Sequence, residues 1–304
     1  MVLSESPLVS VIIITYNSAR YVSETLESVK LQSWKQIELI ISDDCSTDDT
    51  IQVCGEWLKN NSHHFVHTKL ITSGYNTGTS ANCNRGFKTA SGEWIKAISG
   101  DDILLPGCIS DNVDYAVNFN ASFIISDIYT IDENGSQIAD KKVNEGLAYF
   151  VTIPTAKKQL KTYARWPAFL NTPTFFYKRE IMDFIHYCDE EFRIYEDMTV
   201  IYRVTGMGIK IHYLNKPTVG YRIHCNSVSR STQMEEIRLW EAYRVFKKYR
   251  TKQLNLLNPI DLSVCYECWL NFKYKGFNGR KGVSFLRKFS LFYWQLRLNG
   301  IKSY

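Results

Sequence analysis

Residues Val9–Thr15 read VSVIIIT, and this run does not alternate between apolar and polar positions. A strand with one wet face would alternate, so this one is expected to be buried on both faces, as an interior strand of a parallel sheet is. Such a strand needs helices on either side and a crossover to its neighbour. The following residues supply both. Tyr21–Gln32 places Val22, Leu26 and Val29 at helical spacing, and Ile37–Ser42 reads as a second strand. Ser46 or Thr47 can cap a helix running to about Asn60, with Asp48 and Asp49 in its first turn. Phe65–Thr72, a helix opening at Thr79 or Ser80, and Glu93–Ile98 continue the alternation. The predicted fold class is therefore α/β, with a mostly parallel sheet flanked by helices.

Beyond this, Ser122–Ile131 is expected to be a strand that ends in the turn signal Asp132-Glu133-Asn134-Gly135. Residues 142–174 read as irregular, and short strands are expected at Ile209–Leu214 and Thr218–Arg222. From Met234 the pattern becomes helical, with stripes at Leu239, Ala242, Tyr243, Phe246 and Tyr249, and at Phe285, Leu286, Phe289, Phe292, Tyr293 and Leu296. A division into residues 1–230 and a helical extension, 231–304, follows. No secretory signal and no apolar run of bilayer-spanning length is visible, and the eight cysteines are scattered, so a cytoplasmic protein with reduced thiols is expected. Cys265-x-x-Cys268 lacks a second ligand pair and reads as core, and His63-His64 reads as loop.

In an α/β sheet ligands bind beyond the carboxyl ends of the strands. The unusual polar residues collect there: Thr15-Tyr16-Asn17 after the first strand, SDDCSTDDT (Ser42–Thr50) after the second, NTGTSANCNRG (Asn76–Gly86) after the third and Ser99-Gly100-Asp101-Asp102 after the fourth. The turn after the first strand has no glycine, which argues against a dinucleotide site. Adjacent carboxylates at a strand end repel each other unless a cation lies between them and a phosphate group. Magnesium or manganese is commonly held by one or two carboxylates, with water and phosphate completing the shell.

These segments, together with YEDM (Tyr195–Met198) and YRIHCNSVS (Tyr221–Ser229), resemble in order and spacing the family 2 glycosyltransferases of the GT-A fold, over about Pro7–Arg230. The resemblance implies an inverting transferase that uses a nucleotide-diphospho-sugar and Mn2+ or Mg2+. It places Thr15, Tyr16 and Asn17 at the base pocket and Asp44 on the uracil ring, with Asp43 or Ser46 in support. It places Asn84, Gly86 and Asp101 in the nucleotide site. Asp101, Asp102 and His224 fall at the metal, and Asp197 at the position of the catalytic base. Two positions depart from the family's pattern: Cys83 stands where an arginine often precedes the asparagine, and Ser99 where the metal motif often starts with aspartate. A UDP-sugar donor and a saccharide or lipid-linked acceptor are expected, with no nucleic-acid partner. The rival readings are a nucleotidyltransferase and a nucleotide-sugar-binding protein without transferase activity.

The net charge of +5 is concentrated at one end. Cys268–Tyr304 carries Lys273, Lys275, Arg280, Lys281, Arg287, Lys288, Arg297 and Lys302 and no acidic residue. With its aromatic stripe, this segment reads either as packing on the catalytic domain or as a peripheral membrane contact.

Overall fold

The computed structural model describes residues 6–139, 145–167, 170–224, 235–274 and 285–298. The first half alternates as expected: β1 (Val9–Thr15), α1 (Val22–Lys30), β2 (Ile37–Asp43), α2 (Thr50–Asn61), β3 (His67–Thr72), α3 (Thr79–Thr89) and β4 (Trp94–Ser99). After it come β5 (Ile103–Leu104), α4 (Cys108–Phe119), β6 (Phe123–Ile131), β7 (Gln137–Ala139), α5 (Glu145–Val151), α6 (Ala156–Arg165), β8 (Phe176–Lys178), α7 (Arg179–Phe184), α8 (Glu196–Gly206) and β9 (His212–Arg222). The chain then enters α9 (Glu235–Val245), α10 (Pro259–Lys273) and α11 (Leu291–Leu298).

The strands join in one sheet ordered β3-β2-β1-β4-β8-β6-β9-β5, with β7 on β6. Strands β3, β2, β1 and β4 are parallel, β8 runs antiparallel to both β4 and β6, and β6 and β9 are parallel. The unbroken apolar run of β1 now has its cause. Val11 and Ile13 face α1 through Val22, Leu26 and Val29, while Ile12 faces the opposite core with Cys83 and Phe87 of α3. Strand β3 lies at the sheet edge and alternates towards solvent.

Three expectations change in detail. Residues 142–174 are not wholly irregular, because α5 and α6 form there. Helix α6 starts at a Thr155 cap and buries Ala156, Gln159, Tyr163 and Ala164, a helical spacing that its lysines and arginine obscure. Helix α2 begins at Thr50 rather than near Thr47, since Asp48 accepts the backbone N–H and hydroxyl of Thr50 and the preceding residues form a loop. The two strands expected after Gly208 are one strand, β9, with a break in register where Pro217 opposes Asp127. Proline cannot donate to the ladder, which explains the bulge.

The C-terminal helices are tied into the body of the protein. Arg250 donates from Nε to the Ala164 carbonyl at 2.7 Å, and Arg165 pairs with the buried Asp261 of α10 at 2.6 Å. Glu241 of α9 accepts the backbone N–H groups of Arg193 and Ile194 at 2.9 and 3.2 Å, just ahead of α8. The boundary expected at residue 230 lies outside the described residues. The described cysteines are free thiols, and Cys268 packs beside Phe292 and Leu296 of α11. Among the described residues no helix is long and apolar enough to cross a membrane.

Candidate active site

Parallel pairing puts the carboxyl ends of β1, β2 and β4 side by side: Thr15 is in register with Asp43, and Ile14 with Ser99. Thr15 donates its hydroxyl to Asp43 at 2.8 Å, and Asp43 also accepts the Ser46 backbone N–H at 2.8 Å. Asn17 adopts a left-handed backbone with φ 51°. Its N–H reaches Ser46 Oγ and its side-chain oxygen accepts the Thr47 N–H, both at 2.8 Å. Tyr16, between them, points its ring to solvent, 48% exposed. Gly100 must lack a side chain, because a Cβ there would sit 2.8 Å from Thr15 Cγ2.

Asp44 is buried and fully engaged by the protein. It accepts from the Thr77 hydroxyl at 2.6 Å, the Gly78 N–H at 2.7 Å and Arg85 at 2.7 Å. Burial alone would favour its neutral form, but these donors outweigh burial and hold its carboxyl below the ordinary range. Arg85 therefore serves the β2 end of the site. Asn84 clasps the loop before α8, bonding both the carbonyl and the N–H of Cys188 and reaching Glu190 at 2.7 Å. Gly86 lets α3 lie directly on β1, since a Cβ there would collide with Ile12 Cγ2.

The two adjacent aspartates divide. Asp102 turns inward, where Oδ1 accepts the Arg222 N–H at 2.8 Å and its carbonyl accepts the Thr25 hydroxyl at 2.7 Å. Burial pushes its carboxyl well above the ordinary range, with repulsion from Asp101 adding to the effect. Asp101 turns outward. Its Oδ2 lies 2.8 Å from Nε2 of His224, a ring that is 8% exposed and tilted against Tyr21. The Nδ1 of His224 is buried without a hydrogen-bond partner.

Among the described residues no three His, Cys, Asp or Glu side chains converge on a closed metal centre. What converges is an open edge of one carboxylate, Asp101, and one imidazole, His224, with Asp102 behind it. That donor set suits a Mn2+ or Mg2+ ion whose remaining positions are filled by water and phosphate oxygens. A metal-bound ring usually gives its other nitrogen to a water or carbonyl, a partner that Nδ1 of His224 lacks here.

A cavity of about 390 Å³ is lined by Ser99, Asp101 and Asp102 together with Thr172, Glu196 and Asp197. Asp197 accepts the Thr172 hydroxyl at 2.8 Å and the Met198 N–H of its own helix at 2.6 Å. Glu196 Oε2 is buried with no partner. Burial and the neighbouring Asp197 raise the Glu196 carboxyl to about 8. Burial also raises that of Asp197, against the hydrogen bond from Thr172. Cys83 lines the same cavity, and burial pushes its thiol well above the ordinary range, so it is unreactive.

Asp101, Asp102 and Asp197 thus meet around one cavity, and His224 reaches it through Asp101. Thr15, Tyr16, Asn17, Asp44, Asn84 and Gly86 do not line it. Sequence reasoning missed Arg222, Thr172 and Asn82. Arg222 stands inside the YRIHCNSVS motif, so it was available. Asn82, whose Nδ2 donates to the Thr15 carbonyl at 3.1 Å, is also inside a quoted motif. Thr172 lay in the stretch read as irregular and carried no signal.

The profile described as "Glycosyl transferase family 2" matches residues 10–186. Among curated proteins, Glycosyltransferase GlyG of Streptococcus pneumoniae is 26% identical over 235 residues, 74% of this chain and 74% of that protein. A GalNAc(5)-diNAcBac-PP-undecaprenol beta-1,3-glucosyltransferase of Campylobacter jejuni is 34% identical over 104 residues, covering 34% of this chain and 33% of that one. Among solved structures, Staphylococcus aureus TarS 1-349 in complex with UDP-GlcNAc superposes with a TM-score of 0.60 at 18% identity, covering 96% of this chain and 79% of that one.

Proposed function

The chain belongs to glycosyl transferase family 2, and from that premise we propose that it is an inverting, metal-dependent transferase moving a sugar from a nucleotide-diphospho-sugar, a UDP-sugar in the first instance, to a saccharide or lipid-linked saccharide. The observation that carries this reading is that Asp101 and Asp197, far apart in sequence, line one cavity. The TarS structure was solved with UDP-GlcNAc, and the Campylobacter relative is named for a lipid-linked acceptor; both support the substrate classes.

The nucleotide would lie along the ends of β1 and β2, with the exposed Tyr16 ring against the base and the Asn17–Ser46–Thr47 turn beneath it. Asp44 contributes by fixing the Thr77–Gly78 turn and Arg85, which form the far side of that subsite. The diphosphate would then reach Asp101 and His224. A Mn2+ or Mg2+ ion held there would offset the negative charge that the leaving diphosphate gains.

The acceptor hydroxyl attacks the anomeric carbon from the face opposite the diphosphate. The new C–O bond forms as the bond to phosphate breaks, and Asp197 takes the hydroxyl proton. Its raised affinity for a proton makes it a better base than an exposed aspartate. Thr172 and the Met198 N–H keep it aimed and ionised. Glu196, holding its own proton up to about pH 8, spares the site a second negative charge beside Asp197.

The test is a donor screen read by nucleotide release, with and without Mn2+. Metal-dependent release from one nucleotide-sugar, accelerated by a saccharide acceptor, is the expected result. Absence of metal-dependent release across UDP-, GDP- and dTDP-sugars would overturn the reading.

A further inference from the structure

Helix α11 is apolar on two opposite sides. Phe292 and Leu296 point inward and pack with Val264 and Cys268 of α10. Leu291, Trp294 and Leu298, spaced i, i+3 and i+7, form an outward side, with Leu298 86% exposed. A helix that borders water on its outer side is expected to be polar there. Neighbouring segments extend this surface. The indole N–H of Trp294 donates to the Lys288 carbonyl at 2.8 Å, and Phe285 and Phe289 stand beside Lys288 in edge contact, both exposed. Tyr266 of α10 donates to the Leu286 carbonyl at 3.2 Å and touches Trp269, which is also exposed.

The charges around this surface are sorted. The acids of α10 are turned inward and paired: Asp261 with Arg165, and Glu267 with Arg287 and Ser290. The cations lie at the rim. Lys273 sits 4.6 Å over the Trp269 ring and Arg297 5.4 Å over the Tyr293 ring. Cys268–Tyr304 contains no acidic residue to oppose them. Exposed Trp, Phe and Leu rimmed by Lys and Arg is the chemistry that fits the headgroup boundary of an anionic bilayer: aromatic rings enter the interface and basic groups meet phosphate.

The geometry points to this surface, built from α10, α11 and residues 285–289, as a peripheral docking face for an anionic lipid bilayer. It is independent of the proposed sugar transfer and is read without any turnover.

The experiment is co-sedimentation of the full chain with vesicles of phosphatidylcholine alone or with 30% phosphatidylglycerol, over a salt series, beside a Leu291→Ser, Trp294→Ser, Leu298→Ser variant. These side chains are exposed, so the fold should survive, and a melting curve checks that. The expected result is binding to the anionic vesicles that weakens with salt, falls at least about tenfold in the variant and leaves nucleotide binding unchanged. Equal binding by variant and parent overturns the proposal, as does no binding at low salt. A dimer that the variant dissociates, without vesicle binding, would assign the face to a second copy and overturn it too.

Discussion

Arg222 Nε donates to the carbonyl oxygen of Asp101 at 2.6 Å, from a guanidinium with almost no access to solvent. The same residue donates its backbone N–H to Asp102, two further side-chain bonds to the carbonyls of Asp132 and Glu133, and an ion pair to Glu24 at 2.6 Å. The turn that aims Asp101 outward and Asp102 inward is therefore held from β9 by the guanidinium and the backbone N–H of Arg222, together with the Thr25 hydroxyl on the Asp102 carbonyl, and the guanidinium lies 4.9 Å from the Tyr21 ring centroid. Separating their directions and burying Asp102, which favours its neutral form, ease the repulsion between the neighbouring carboxylates.

Arg222→Met keeps the length of the side chain and removes its donors. Each buried acceptor left unpaired costs about 1–3 kcal/mol, so a loss of at least about 2 kcal/mol in denaturant unfolding is expected. Mn2+-dependent UDP binding should weaken in the surviving folded protein. A variant with parental stability and parental metal response would show that the turn holds itself.

Asp101→Ala is expected to abolish transfer and Mn2+-dependent UDP binding. His224→Ala should weaken the metal response by at least about 10-fold, the lower end of the range for losing even an outer-shell partner at a metal site. Titrating Mn2+ against UDP binding in both variants checks this. Parental dependence in Asp101→Ala would remove the assignment.

The sheet ends were legible because buried strands cannot hide: VSVIIIT has no polar alternation, and each strand is followed by polar residues that core packing does not need. The roles within those ends were less legible. Asp44 and Asn84 read as ligand contacts, yet in the fold each is engaged by protein groups, Asp44 by residues 33 to 41 positions later and Asn84 by residues 104 and 106 positions later. Sequence spacing carries no trace of such long closures. Gly86 illustrates the same limit. The motif supplied its position, but its reason is the contact of α3 with Ile12, which only the packed sheet reveals. Helix α6 was missed because its exposed Lys157, Lys158 and Lys161 mask a buried face that follows ordinary helical spacing.

Asp197→Asn preserves the shape of the group that accepts from Thr172 and Met198 but cannot take a proton. Transfer should slow by at least about 10²-fold, the lower range for loss of a general base, with UDP binding unchanged by calorimetry. Near-parental turnover would move the base to Glu196. Loss of UDP binding would make Asp197 a structural or donor-site group.

Glu196 and Asp197 give stability a pH dependence of predictable sign. In the unfolded chain Glu196 loses its proton near its ordinary value of 4.5, whereas in the fold it keeps the proton to about 8. Between those values the unfolded state binds fewer protons, so stability falls as pH rises. Above about 8 the fold must carry two adjacent buried charges. Glu196→Gln removes that burden, since an amide stays neutral throughout. The variant should therefore gain melting temperature relative to the parent as pH is raised from 5 to 9, with little difference at the acid end. Paired thermal melts across that range decide the matter. A difference that stays flat, or that favours the parent at pH 9, would mean that Glu196 is already ionised in the folded protein at neutral pH, beside Asp197.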